Sequence, residues 1–139
     1  MTLKLPYTVS GIVIHGFGRG HSLLGFPTAN ISTDYWQEIT EAEYGVYCGT
    51  VDVEGYPTKA GVISIGKNPT FDNKKPTFEV HILNFRDDIY DQKITVELME
   101  KIRPMLVFKD INGLITQINK DIEYAKTSAK VQTKISCKN

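Results

Sequence analysis

The sequence predicts a mainly β fold, an antiparallel barrel with one α-helix packed on it, and two observations carry that prediction. Several short β-branched segments are punctuated by glycine, proline and asparagine at close intervals, which is how antiparallel strands and their turns read in a sequence. From Asp110 onward the period changes, and Ile111, Leu114, Ile115, Ile118, Ile122 and Ala125 follow helical spacing. A β-sandwich would satisfy the same strand pattern.

The elements follow in order. Residues 7–15 make the first strand, through Val9, Ile12, Val13 and Ile14, and a glycine-rich loop ends it. Residues 26–31 make a short strand entered through Pro27, where a strand start tolerates proline. Residues 32–43 are polar, hold the only tryptophan, Trp36, and read as a connecting loop with room for a helical turn. Residues 45–54 and 58–66 form a hairpin about Gly55-Tyr56-Pro57. Residues 67–76 are a second polar loop, with prolines at 69 and 76. Residues 77–85 and 93–102 are two further strands, joined through the turn at 86–92. Asp110 is a suitable helix N-cap, and the polar tail after Lys126 is expected to fray. A chain of 139 residues suits one domain, residues 1–139, burying about two-thirds of its unfolded surface.

Bulk properties narrow the function. Sixteen basic residues balance sixteen acidic ones, so the basic excess of a general nucleic-acid binder is missing. The hydrophobic fraction of 41% and charged fraction of 23% are those of an ordinary soluble globule. No apolar run approaches the ~18 residues that mark a membrane span. No signal-like apolar run follows Lys4, and the two cysteines, Cys48 and Cys137, are expected to be reduced in a cytoplasmic protein.

The stretch that concentrates chemistry is residues 15–30, His-Gly-Phe-Gly-Arg-Gly-His-Ser-Leu-Leu-Gly-Phe-Pro-Thr-Ala-Asn. Its first half combines Gly16, Gly18 and Gly20 with Arg19, His21 and Ser22. Glycine lets a ligand approach the main chain closely, and successive N–H groups in such a loop form a concave anion site. In the second half, Thr28 and Asn30 share a face if the chain is extended. Their oxygens are hard, neutral ligands of the kind Mg²⁺ accepts beside waters and substrate phosphates. The plainer reading is a hairpin loop leading into an edge strand. Two standard nucleotide fingerprints fail: His21 stands where Gly-x-Gly-x-x-Gly needs its last glycine. Residues 61–68 imitate a Walker A loop but end in Asn68, and Pro69 blocks the helix that must come next.

Gly-Phe-Gly-Arg-Gly followed by Leu-Gly-Phe-Pro-Thr-Ala-Asn resembles the signature of the riboflavin kinase family. Later blocks resemble that family in the same order: residues 64–71 (Ser-Ile-Gly-Lys-Asn-Pro-Thr-Phe), 78–82 (Phe-Glu-Val-His-Ile), 88–90 (Asp-Ile-Tyr), 102–104 (Ile-Arg-Pro) and the helix at 114–125. The resemblance covers about residues 8–127. It implies a six-stranded antiparallel Greek-key β-barrel with a C-terminal α-helix, transferring the γ-phosphate of ATP to the ribityl 5′-hydroxyl of riboflavin. Glu79 falls at the catalytic position. Gly16, Gly18, Arg19, Gly20, His21, Ser22, Thr28, Asn30, His81 and Tyr90 fall on the nucleotide side, and Arg103 against the flavin. Thr28 and Asn30 would hold Mg²⁺ or another divalent ion such as Zn²⁺ or Mn²⁺. The implied partners are riboflavin and ATP; the charge balance and the lack of a long apolar run add no nucleic acid or membrane, and the chain is expected to be a cytoplasmic monomer. The competing reading is a catalytically inactive flavin- or nucleotide-binding barrel module.

Three departures stand out from the family pattern. His21 and Ser22 occupy the place of a common basic residue, Met105 follows Arg-Pro where Glu is usual, and Asp91 replaces a turn glycine. Read from the residues alone, Glu79 belongs to a solvated strand face, His81 to a rim, and Tyr90 to the cover of a barrel end. On the same terms Arg103 belongs to a surface ion pair.

Overall fold

A computed structural model describes residues 3–14, 22–23, 26–67 and 75–139, with residues 22, 23 and 26 described by their backbone alone. Strands β1 (Tyr7–Ile14), β4 (Ala29–Ile31), β5 (Gly45–Val53), β6 (Lys59–Gly66), β7 (Thr77–Ile82) and β8 (Lys93–Arg103) close into one barrel. Its strand order is β1-β4-β7-β6-β5-β8, with β8 pairing back to β1 and all neighbours antiparallel. The short strands β2 (Ser22–Leu23) and β3 (Phe26–Pro27) form a separate two-stranded ribbon. The six predicted strands and the barrel are present.

The inside of the barrel follows from the period-two pattern. Val9 and Val13 of β1, Ile63 and Ile65 of β6, Phe78 and Val80 of β7, and Ile94, Val96 and Leu98 of β8 meet in one buried cluster. Each such side chain contributes about 1.5–3 kcal/mol by leaving water. The connection at 32–43 is a plug rather than a polar loop. Two 3₁₀ turns, Thr33–Tyr35 and Glu41–Glu43, carry Trp36 and Ile39 into the core. Trp36 Nε1 donates to the Ile31 carbonyl at 3.1 Å, and its ring lies 5.9 Å from that of Phe78.

Outside the barrel, α1 (Ile111–Thr127) and α2 (Ala129–Lys138) cover β5 and β6. Asp110 caps α1 by accepting from the Gly113 amide at 2.8 Å. The second helix corrects the expectation of a frayed tail after residue 127. Ser128 caps it by accepting from the Val131 amide at 3.4 Å and donates to Glu100 Oε1 at 2.5 Å. Val131 and Ile135, one turn apart on α2, pack in a second apolar cluster with Val46, Cys48 and Val62. At the end of the chain, Asn139 brackets the backbone of Thr58, accepting at 2.9 Å and donating at 3.1 Å.

Strand β8 reaches around this surface through two irregularities. Against β5 its register shifts between Val46 and Tyr47 and again between Cys48 and Gly49. Each shift inserts one extra residue into β8, bends the strand and re-aims the side chains beyond it. The close approach is visible at Gly49, where a Cβ would sit 1.9 Å from the Glu97 carbonyl oxygen. As a result Arg103 pairs with Val46 and projects outward, under α1. No helix among the described residues is long and apolar enough to cross a membrane.

Candidate active site

Directly opposite residues on antiparallel strands put their side chains on one face, with Cβ atoms about 4.5–5.5 Å apart. The register draws one such row around the outside of the barrel. Ile14 pairs with Asn30, Asn30 with Glu79, Glu79 with Ser64, Ser64 with Val46, and Val46 with Arg103. The predicted alternation on β7 therefore holds: Phe78, Val80 and Ile82 face the core, while Glu79 and His81 face outward. That outer face is not open water. Glu79, His81, Ser64, Arg103 and Thr28 line a groove whose other wall is Met105, Phe108 and α1 residues Leu114, Ile118 and Asp121.

At one end of the groove, β4 holds Asn30 in near-complete burial, 6% exposed, beside Glu79. Thr77 Oγ1 donates to Glu79 Oε2 at 3.3 Å. Thr28 precedes β4, outside any strand, and lines two cavities at once. One is the groove; the other is a pocket formed with Phe85, Arg86, Asp87, Asp88 and Tyr90 at the barrel's edge. Tyr90 is placed there by its amide, which donates to Asp88 Oδ1 at 3.0 Å. Next in the chain, Asp91 has φ 67°, the left-handed region that glycine occupies most readily. That conformation explains why this position suits glycine, and Asp91 holds it with an N–H bond of 2.9 Å to the Val13 carbonyl.

His81 is half-buried between these cavities, with Nδ1 2.7 Å from the Pro27 carbonyl oxygen. Burial pushes its pKa below the usual value; the Pro27 bond opposes that and the Arg86 charge adds to it. A neutral ring is the result at physiological pH.

At the other end, Arg103 makes an ion pair, but a buried one. Its Nη2 donates to Asp121 Oδ2 at 2.8 Å and its Nε reaches both Asp121 oxygens at 3.1 Å. The side chains are 12% and 2% exposed. Gln117 Nε2 also donates to Asp121 Oδ1, at 3.0 Å. The guanidinium carbon stands 5.8 Å from the centre of the Phe108 ring. Met105, in the place of a family glutamate, takes a Ser64 hydroxyl contact to its sulfur at 3.8 Å.

The structure thus brings together Thr28, Asn30, Glu79 and His81, sets Tyr90 on the second cavity, and places Arg103 at the far end of the groove. Gly16, Gly18, Arg19, Gly20 and His21 lie outside the described residues, as do residues 68–74. The backbone of Ser22 pairs with Pro27, which ties the end of the glycine-rich stretch to the residue before Thr28. Sequence reasoning gave no role to Asp121, Gln117 or Ser64. An available signal for Asp121 was an acid seven residues after Leu114, on the stripe that otherwise packs inward.

The donor set suits a magnesium ion. Thr28 and Asn30 offer neutral oxygens, and Mg²⁺ is commonly held by few protein oxygens and completed by waters and phosphates. Among the described residues there is no group of three or more His, Cys, Asp or Glu that would build an all-protein cage.

Comparison with known proteins adds the lineage. The family model Flavokinase, described as riboflavin kinase, matches residues 3–129. Human riboflavin kinase is 37% identical over 124 residues, which cover 88% of this chain and 80% of that protein. The bifunctional riboflavin kinase/FMN phosphatase of Arabidopsis thaliana is 41% identical over 123 residues, 87% of this chain. The match spans only 32% of that longer protein. Among solved structures, riboflavin kinase from Trypanosoma brucei superposes with a TM-score of 0.63 at 27% identity, over 90% of this chain and 82% of that one.

Proposed function

The chain belongs to the riboflavin kinase family, and from that membership we propose that it transfers the γ-phosphate of ATP to the ribityl 5′-hydroxyl of riboflavin, giving FMN and ADP. The observation that carries the residue assignment is the register Asn30–Glu79 on β4 and β7, next to Thr28 at the junction of two cavities. One cavity then serves ATP, with Tyr90 on its wall, and the groove serves riboflavin.

Phosphoryl transfer mainly requires an oriented nucleophile and charge stabilisation at the phosphate. Glu79 supplies the first: its carboxylate accepts the hydrogen bond of the 5′-hydroxyl and takes its proton as the oxygen attacks the γ-phosphorus. The β4 and β6 neighbours hold the Glu79 backbone from both sides, and Thr77 Oγ1 donates to its carboxylate at 3.3 Å. Thr28 and Asn30 would hold the divalent ion, which when bound neutralises charge on the phosphates. Gly16, Gly18, Arg19, Gly20, His21 and Ser22 complete the phosphate side by the motif they form in the sequence.

The flavin ring belongs at the Arg103 end. Three strand steps separate β7 from β8 along the row, roughly 14 Å at the ordinary strand spacing, so a substrate with its ring there and its chain extended ends at Glu79. Asp121 fixes the Arg103 fork, leaving the guanidinium face and the Phe108 ring as planar surfaces suited to stacking. We read the protein as a cytoplasmic monomer, a compartment in which free thiols persist.

The test is direct. The purified chain with riboflavin, ATP and MgCl₂ should produce FMN, resolved from riboflavin by chromatography. No FMN over many hours at saturating substrates, in a chain that binds both, would favour the inactive-module reading.

A further inference from the structure

His81 falls on the nucleotide side by resemblance, but its geometry assigns it other work. The Pro27 carbonyl oxygen 2.7 Å away can only accept. Nδ1 must therefore carry the hydrogen, which leaves the lone pair of the neutral ring on Nε2. A ring in that state has no hydrogen at Nε2 to give a phosphate oxygen.

What the Nδ1 bond reaches is the backbone just before Thr28. Strand β3 ends at Pro27, β4 begins at Ala29, and Thr28 belongs to neither. The ladder between β4 and β7 runs from Asn30–Glu79 to Ala29–Val80 and stops. Continuing it by one step would bring Thr28 opposite His81. Pro27 has no N–H to offer β7, and its strand pairing is with Ser22 in the β2–β3 ribbon instead. The imidazole thus takes over with its side chain where the backbone pairing of β7 with β4 ends.

We propose that His81 is a positioning residue whose Nδ1–H, anchored on the Pro27 carbonyl, sets the direction in which Thr28 presents its hydroxyl at the junction of the two cavities. The inference rests on the role given to Thr28 above. Partners that hold a ligand-bearing segment in place typically cost 10–100-fold in metal affinity or activity when lost.

Amide chemistry separates this role from direct contact. An asparagine carboxamide places its nitrogen where Nδ1 stands, and a glutamine carboxamide reaches where Nε2 stands. His81→Asn should keep the Thr28 and Ala29 amide resonances of the ligand-free chain near their wild-type positions. Its KM for Mg·ATP should stay within a few-fold. His81→Gln and His81→Ala should shift those resonances and raise that KM about 10–100-fold, with the KM for riboflavin little changed. Rescue by Gln with loss in Asn, or no change in Ala, would overturn the proposal. The ring's nitrogen shifts in the wild-type protein decide the matter without any variant: a hydrogen on Nε2 of the neutral ring would overturn it. The spectra also keep the two readings apart, because a chain that made no FMN would still reveal whether His81 orders Thr28.

Discussion

Two faces of strand β7 lie one side chain apart and obey different rules. Inward, Phe78 and Val80 are fully buried in the apolar cluster of the barrel. Outward, Glu79 and His81 are half-exposed in a groove with an arginine, a serine and a threonine. The inner face supplies the stability that holds the strand between β4 and β6. The outer face carries the polar side chains: His81 anchors the backbone before Thr28, and Glu79 faces the groove where a substrate would lie. Rigidity and chemistry are separated by the strand's alternation, and substitutions on the two faces should fail in different ways.

The largest effect tests the outer face. Glu79→Gln keeps the shape and hydrogen bonding but cannot take a proton. Removing a general base should lower kcat roughly 10²–10⁴-fold, with kcat/KM falling alongside it. Riboflavin affinity should stay within a few-fold and the melting temperature should hardly move. A variant within threefold of wild-type kcat, where chemistry limits the rate, would remove Glu79 from the mechanism.

The neighbouring residue should do the reverse. Phe78→Ala empties a position at the centre of the barrel and should destabilise it by about 3–5 kcal/mol, a large share of the 5–15 kcal/mol typical of a domain. In urea at low temperature, the fraction still folded should retain its kcat. A loss of kcat per folded molecule as large as that of Glu79→Gln would show that the two faces are not independent.

Asp121 sharpens the comparison, since it is an outer-side residue with an interior character. Asp121→Asn keeps the volume but leaves the Arg103 charge without its partner, and should cost about 1.5–3 kcal/mol of stability, as for hydrogen bonds to charged groups. It should also raise the KM for riboflavin more than that for ATP, because the Arg103 end of the groove loses its fixed geometry. Equal changes in both would detach Arg103 from the flavin end.

Much of this arrangement was legible in the sequence because it is local. Alternation sorted Phe78, Val80 and Ile82 from Glu79 and His81, and the helical period found α1. What escaped depends on partners distant in the chain. The two register shifts that turn Arg103 outward are set by how β8 meets β5, and nothing in residues 93–103 announces them. Asp121 needs Arg103 to explain it. The second helix has few apolar residues, and Val131 and Ile135 become informative only once β5 and β6 offer a surface. His81 and Pro27, 54 residues apart, meet only because β4 lies beside β7.

The smallest expected effect asks how far the outer face counts as surface. Cys48 lies on that face of β5, yet it is completely buried in the cluster that α1 and α2 form with the strands. Burial pushes its thiol up to about 11, with the Glu100 charge adding to the rise and the Ser128 contact opposing it. Cys137 is exposed. At pH 8 a thiol-specific alkylating reagent should therefore modify one cysteine in the native protein, Cys137, and both only after unfolding, with activity unchanged by the first label. The same burial has a sign in pH. The unfolded thiol ionises near 8.5 while the folded one holds its proton, so between about 8.5 and 11 the folded state binds more protons and stability falls as pH rises. Cys48→Ala should lessen that alkaline loss relative to wild type. Rapid native labelling of Cys48 at pH 8 would mean that α2 does not stay docked, and the outer face under the helices would then be as open as the groove beside it.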